Sequence, residues 1–193
     1  MGVMDDAEVV EVGSASAWGR WLDEHGATAR GAWLAVPDRQ AEGDDALSYE
    51  NAVCEALCRG WIDGTARSGP TSGSVIWFSP RRPGSPWAAS NRSRVARLEA
   101  DGRMRPAGQA LVDAARADGS WTLLVGPENG EEPDALRSGL DADPAARAFW
   151  DALPPSTRLF ALTQVALAKR ADTRTRRIEA LVARCAAGER PDR

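Results

Sequence analysis

The apolar run Val75-Ile76-Trp77-Phe78, closed off by Pro80, Pro83 and Pro86, constrains this chain more than any other stretch. The run predicts a strand over 74–79, and each proline removes a backbone donor that a longer strand or a helix would need. The preceding Ser68-Gly69-Pro70-Thr71-Ser72-Gly73 is turn-forming by composition. With Trp61 to Ala66 before it, the segment reads as a hairpin of two strands. Arg81 to Trp87 is then a loop fixed by proline. Part of its backbone entropy is already removed, which suits a pre-formed site.

Polar residues crowd around this hairpin. Gly60-Trp61-Ile62-Asp63-Gly64 precedes it, and Arg81, Arg82, Trp87 and Asn91 follow it. Guanidinium, carboxylate and carboxamide groups lose several kcal/mol when buried without partners. Packed so closely among tryptophans, they read as a polar constellation held by aromatic walls. The pattern marks where a site is, not which reaction or ligand it serves.

At 193 residues the chain fits one domain with ample length for a core. Apolar content of 43% excludes a wholly disordered protein. No apolar run approaches the roughly 18 residues of a membrane span. The start, Met1 to Glu8, is acidic where a secretory signal would be basic and then apolar. Asp6, where a hydroxyl is needed, argues against myristoylation after Gly2. The expected location is the cytoplasm, with no membrane partner. Three cysteines supply no disulfide framework. Cys54 and Cys58 share a helical face, but a zinc site needs three or four ligands. Both read as small buried apolar residues, with a reactive thiol at Cys58 as the sharper alternative. His25, at the end of a Trp-bearing helix, reads as a surface or capping residue. No metal and no cofactor are expected.

Net charge is −4, but unevenly spread. Residues 1–50 carry 11 acids and 3 bases, and 51–120 carry 6 and 10. Residues 121–155 carry 7 and 2, and 156–193 carry 4 and 9. The two basic blocks raise the question of nucleic acid. The whole chain is acidic, however, and shows no binding motif and no bases interleaved with stacking aromatics. Nucleic acid is therefore not expected as a partner. All the bases but Lys169 are arginine, whose planar fork suits bidentate contacts to carboxylate or phosphate.

The pattern predicts an α+β domain: a small, mostly antiparallel sheet of about three strands, packed with six or seven helices, with a helical C-terminal half. Residues 1–15 form an arm, 16–188 the domain, with 127–188 as a candidate helical subdomain, and 189–193 a tail. Ser16 is expected to cap a helix carrying Trp18, Trp21 and Leu22, and Gly31 to Val36 to form a strand. Asp38 to Ala46 reads as an acidic surface loop. Ser48 is expected to cap a helix closed by Gly60, and Ser90 one that stops at Gly102. Pro106 opens another, ending at Gly119. Asp143-Pro144, Pro155 and Asp172 start the last three.

These residues carry a family resemblance. Ala56-Leu57-Cys58-Arg59-Gly60-Trp61-Ile62-Asp63-Gly64, then Phe78-Ser79-Pro80-Arg81-Arg82-Pro83, Trp87 and Asn91, resemble the YdeI/OmpD-associated (OmdA) family of small bacterial proteins. Gly102-Arg103-Met104, Pro106-Ala107-Gly108, Ala115 to Trp121, Lys169, Thr173-Arg174 and Arg176-Arg177-Ile178 continue the match in order over roughly residues 16–186. The resemblance implies a link to tolerance of antimicrobial peptides and to bacteriocin protection, and a periplasmic or porin-associated setting. It brings no established reaction. The chain departs from the pattern at Arg59, where an aromatic is expected.

Asp63 is a candidate general base or ligand acceptor, and equally a turn residue or the partner of Arg81 or Arg82. The two arginines point to different sides if the chain is extended, so one can enter a pocket while the other pairs with an acid. Arg174 and Arg177 lie three apart on one helical face, solvated or folded back towards the Arg81 loop. Trp18, Trp21, Trp33 and Trp150 read as core, and Trp61, Trp77 and Trp87 as candidate pocket walls. Two function classes follow. The first is a non-enzymatic binding or stress-protection protein, holding an anionic small molecule or peptide with Trp61, Arg82, Trp87, Asn91, Arg174 and Arg177. The second is a small metal-free enzyme with Asp63 as general acid or base and Arg81 or Arg82 as electrostatic stabiliser, Cys58 and Tyr49 being further candidates. A protein-interaction role is the third reading, and the oligomeric state is not legible.

Overall fold

The computed structural model of the chain describes residue 4 and residues 7–37, 43–69 and 73–191. Their packing divides them into two compact units. The first comprises Met1–Ser85 and Ser90–Asp118, the second Pro86–Ala89 and Gly119–Arg193.

The first unit is built on a four-stranded sheet. Strands β1 (Val9–Val10), β2 (Ala32–Val36), β3 (Trp61–Ser68) and β4 (Ser74–Pro80) lie in the order β1-β2-β4-β3. β4 is antiparallel to both neighbours, whereas β1 runs parallel to β2. The expected, mostly antiparallel sheet of about three strands thus has four, with β1 adding one parallel pairing. The extra strand is only two residues long, too short for an alternating pattern to declare itself. The hairpin β3–β4 forms where its composition places it, and Gly69 donates to the Gly73 carbonyl at 2.9 Å across the turn. The other turn residues, 70–72, lie outside the described residues, as do 38–42 of the acidic loop.

Alternation along β4 sends its large side chains to opposite faces. Phe78 and Ile76 face the side covered by helices α1 (Ala15–His25) and α2 (Tyr49–Cys58). There Trp18 lies fully buried, 5.4 Å from the Phe78 ring, and donates its indole N–H to the Ala52 carbonyl at 3.3 Å. Trp77 and Val75 face the other side with Trp33 of β2, covered by Met4, Ala7 and Val9 of the arm. The helix-facing side carries most of the apolar residues, each contributing roughly 1.5–3 kcal/mol on burial.

α1 begins two residues earlier than expected. Ser14 is its N-cap and accepts from the Ala17 amide, because Ser16 is engaged by its amide and hydroxyl with Asp45 at 2.7 Å each. Ser48 caps α2 as expected, accepting from the Asn51 amide. Helices α3 (Ala89–Ala100) and α4 (Pro106–Asp118) follow. The C-terminal turn of α2 and the start of α4 are in intimate contact. The Arg105 amide donates to the otherwise orphaned Cys58 carbonyl at 3.0 Å. A Cβ on Gly108 would stand 2.3 Å from that same oxygen.

The second unit is helical: α5 (Val125–Glu128), α6 (Asp134–Asp141), α7 (Pro144–Asp151), α8 (Pro155–Ala166) and α9 (Ala171–Ala186). Its core gathers Leu136, Leu140, Trp150, Leu162, Val165, Ile178 and Leu181. α7 and α8 start at Pro144 and Pro155 as read, while α9 starts at Ala171 with Asp172 inside its first turn. Among the described residues there are nine helices against the six or seven expected. The short α5 and α6 lie in and just after the Gly- and Pro-rich stretch 126–133.

Gly108→Ala is expected to lower stability by about 1–3 kcal/mol despite alanine's higher helix propensity, because the methyl meets backbone that cannot step aside. Gly13→Ala, with nothing within 4 Å, is the control. Urea unfolding of both variants checks this, and equal stability would show the α2–α4 contact to be loose.

Candidate functional site

The expected site residues fall into separate groups. Trp61, Asp63, Arg81, Arg82 and Asn91 belong to the first unit; Trp87, Arg174 and Arg177 belong to the second.

Asp63 sits on the helix-facing side of β3, opposite Phe78 and just before an irregularity in the ladder between Asp63 and Ala66. Its Oδ2 accepts the Tyr49 hydroxyl from the first turn of α2 at 2.6 Å. Arg81 is 92% buried, as its 8% exposure shows, and its amide donates to the Gly60 carbonyl at 2.9 Å. Burial pulls the Arg81 guanidinium down to about 10, while the negative charge of Asp63 opposes that shift. It therefore stays charged at neutral pH. Beside this pair lies a carboxylate–guanidinium cluster. Arg94 donates Nη2 to Glu50 Oε2 at 2.7 Å, Arg97 donates Nη2 to Glu50 Oε1 at 2.9 Å, and Arg94 also reaches Asn91 Oδ1 at 2.9 Å. The hydrogen bonds from Arg94 hold the Glu50 carboxyl down at about 2.

Arg82 is turned the other way. It is exposed, and it lines a groove of about 450 Å³ with Met4, Arg30, Trp77, Ser79 and Pro80. The ladder ends at Pro80, so the two adjacent arginines leave the strand in different environments.

Trp61 is buried and packs edge-on against Trp18 and Trp21, with ring centroids 6.5 and 6.1 Å away. Its indole donates to the Gly26 carbonyl at 3.3 Å. One edge reaches a second groove, of about 550 Å³, shared with Leu22, Arg59 and Arg105. Arg59 makes a fork to Asp23 at 2.7 and 2.8 Å and also meets Glu55.

In the second unit Trp87 is buried at 3% exposure against Trp121, with centroids 5.0 Å apart. Arg174 donates to the Ala168 carbonyl at 3.2 Å, and Arg177 donates to the Gln164 carbonyl. Arg177 thereby caps the end of α8, where helical carbonyls lack partners and cations are favoured, and Arg174 holds the chain just beyond it.

Residues 10–111, just over half the chain, match a family described as a domain of unknown function, DUF8412. The chain belongs to this DUF8412 family. Residues 129–188 match a second family, described as bacteriocin-protection, YdeI or OmpD-associated, which is the family the motifs resemble. No curated protein and no solved structure matches the chain. The paired cluster of Tyr49, Glu50, Asp63, Asn91 and Arg94 and the Arg82 groove thus lie within the DUF8412 match, apart from Met4. Arg174 and Arg177 lie in the OmdA match.

Within the DUF8412 part, Cys58 is buried, and loss of solvent pushes its thiol up to about 11, so it is a poor nucleophile. Cys54 donates weakly to Glu50 at 3.7 Å and accepts from Arg97 at 3.4 Å. Among the described residues no three His, Cys, Asp or Glu side chains group closely enough to hold a metal ion. None of their helices is long and apolar enough to cross a membrane. The partners Glu50, Arg94 and Arg30 are absent from the sequence-derived site. Arg94 and Arg97 are three apart on one helical face, a usable sign, but nothing local points to Glu50 or Arg30.

Tyr49 is the chain's single tyrosine, so its titration is directly readable. Partial loss of solvent around the hydroxyl, although the residue is 43% exposed, and then the bond to Asp63 push it from 10.0 up to about 12. Above pH 10 the unfolded phenol loses its proton while the folded one keeps it. The stability Tyr49 contributes is therefore complete below pH 10 and lost as pH rises towards 12. Absorbance titration of tyrosinate is expected to centre near 12, and Asp63→Asn to move it back towards 10. A native midpoint at 10 would mean the Tyr49–Asp63 bond does not persist in solution.

Proposed function

We propose that this chain is a non-enzymatic binding protein of stress protection, whose ligand is an anionic small molecule or peptide. The observation that carries this reading is the division of labour between Arg81 and Arg82. Asp63 and Arg81, the pair best suited to chemistry, are committed to the fold: Asp63 holds Tyr49, and Arg81 is withdrawn from solvent. Arg82 presents its charge outward, with no ion-pair partner among the described residues. The bacteriocin-protection description of the C-terminal match supports a protective role for this chain at the level of the family.

A second reading draws on one specific observation. The Tyr49 hydroxyl, bonded to Asp63, belongs to a residue that borders a groove of about 340 Å³ with Ser48 and Ser74. In that reading Asp63 acts as general acid or base and Arg81 as electrostatic stabiliser, without a metal.

Survival of a bacteriocin-sensitive bacterium expressing the chain tests both readings. The wild type is expected to raise survival, and Asp63→Asn to protect in proportion to the folded protein it yields. Recovered bacteriocin is expected to keep its mass. A wild type that gives no protection overturns the protective reading. A well-folded Asp63→Asn that fails to protect, with bacteriocin cleaved or altered by the wild type alone, establishes the enzyme instead.

A further inference from the structure

We infer that the groove lined by Met4, Arg30, Trp77, Ser79, Pro80 and Arg82 is the ligand site, and that its ligand is a small amphiphilic oxyanion. The oxyanion is a carboxylate or phosphate head carried on an apolar body. This rests on the binding reading above and specifies where and what it binds.

The first argument is charge. In the same unit Arg59, Arg94, Arg97, Arg103 and Arg116 each pair with a carboxylate. Arg30 and Arg82 have no ion-pair partner among the described residues, yet both line one groove, whose described lining contains no acidic side chain. Two like charges lining a common concavity repel each other, and an anion between them removes that repulsion. Guanidinium forks bind carboxylate and phosphate oxygens bidentately. The Ser79 hydroxyl adds a neutral donor on the same wall.

The second argument is shape and polarity. The remaining lining, Met4, Trp77 and Pro80, is apolar, so a bare inorganic ion would leave that wall wet. A volume of about 450 Å³ lies within the range of small-molecule sites. The wall is also rigid. Trp77 packs edge-on against Trp33 at 5.4 Å, and its ring lies over Gly31, where a Cβ would be 2.0 Å away. The Trp33 indole in turn donates to the Met4 carbonyl at 2.9 Å, holding the arm residue that closes the groove. Such a wall need not be ordered by the ligand, which favours binding.

Calorimetric titration with octanoate, octyl phosphate and inorganic phosphate tests the site. At least one octyl probe is expected to bind one-to-one, and inorganic phosphate at least about tenfold more weakly. The preferred octyl probe identifies the head group. Arg30→Ala and Arg82→Ala are each expected to weaken binding by about tenfold or more, a change equivalent to about 1.4 kcal/mol. Their melting temperatures are expected to match the wild type, since neither arginine is held in an ion pair among the described residues. Absence of binding by both octyl probes overturns the site, as does binding that both variants retain. Inorganic phosphate binding as tightly as octyl phosphate overturns the amphiphilic ligand. Failure of the two proposals is separable. Bacterial survival without octyl-probe binding removes the groove and leaves the protective reading, whereas probe binding without survival does the reverse.

Discussion

Strand β4 is hydrogen-bonded along both edges, to β2 on one side and β3 on the other, and the first unit takes its geometry from that double ladder. A strand held on both edges cannot slip by one residue without turning Phe78 out of the helix-covered core and Trp77 into it. The register thereby places Asp63 opposite Phe78, on the side where α2 brings Tyr49. It places Ser79 on the side of Trp77. Pro80 ends the strand, and the arginines that follow are free of the ladder. Arg81 enters the protein near Asp63, and Arg82 stays outside.

The unit's arginines are governed by a simple inequality. Removing a guanidinium from water costs far more than a solvent-exposed ion pair returns. The more buried heads of Arg59 and Arg94 therefore make forked contacts with carboxylates: Asp23 takes the fork of Arg59, and Glu50 that of Arg94. Arg30 and Arg82 remain at the surface, so the fold does not demand an acid beside them.

The Tyr49–Asp63 bond shows how a residue suited to catalysis is turned to structure. A carboxylate that accepts a phenol at 2.6 Å keeps that proton in place across the neutral range, because its negative charge and the partial loss of solvent both oppose tyrosinate. The pair ties the first turn of α2 to the edge strand β3. Its partner cluster, Glu50 with Arg94 and Arg97, ties the same turn to α3.

Local chemistry is what the sequence by itself determined. The hairpin of β3 and β4, the proline starts of α4, α7 and α8, the Ser48 cap and the burial of Cys54 and Cys58 all depend on residues within a few positions of one another. The family resemblance over residues 129–188 was legible for the same reason, since its motifs there are short runs. The short strand β1 and the helices α5 and α6 were not legible, because two to eight residues carry too little periodicity. Ser14 rather than Ser16 caps α1 because Asp45, 29 residues away, takes the Ser16 hydroxyl. The sequence marked Arg81 and Arg82 as a pair that separates; which one turns inward depended on Asp63 and the Gly60 carbonyl reaching that loop. Arg30 lies 52 positions before Arg82 in the numbering, and only the folded sheet brings both to one groove. Such pairings are decided by register and packing between distant segments, and no local pattern encodes them.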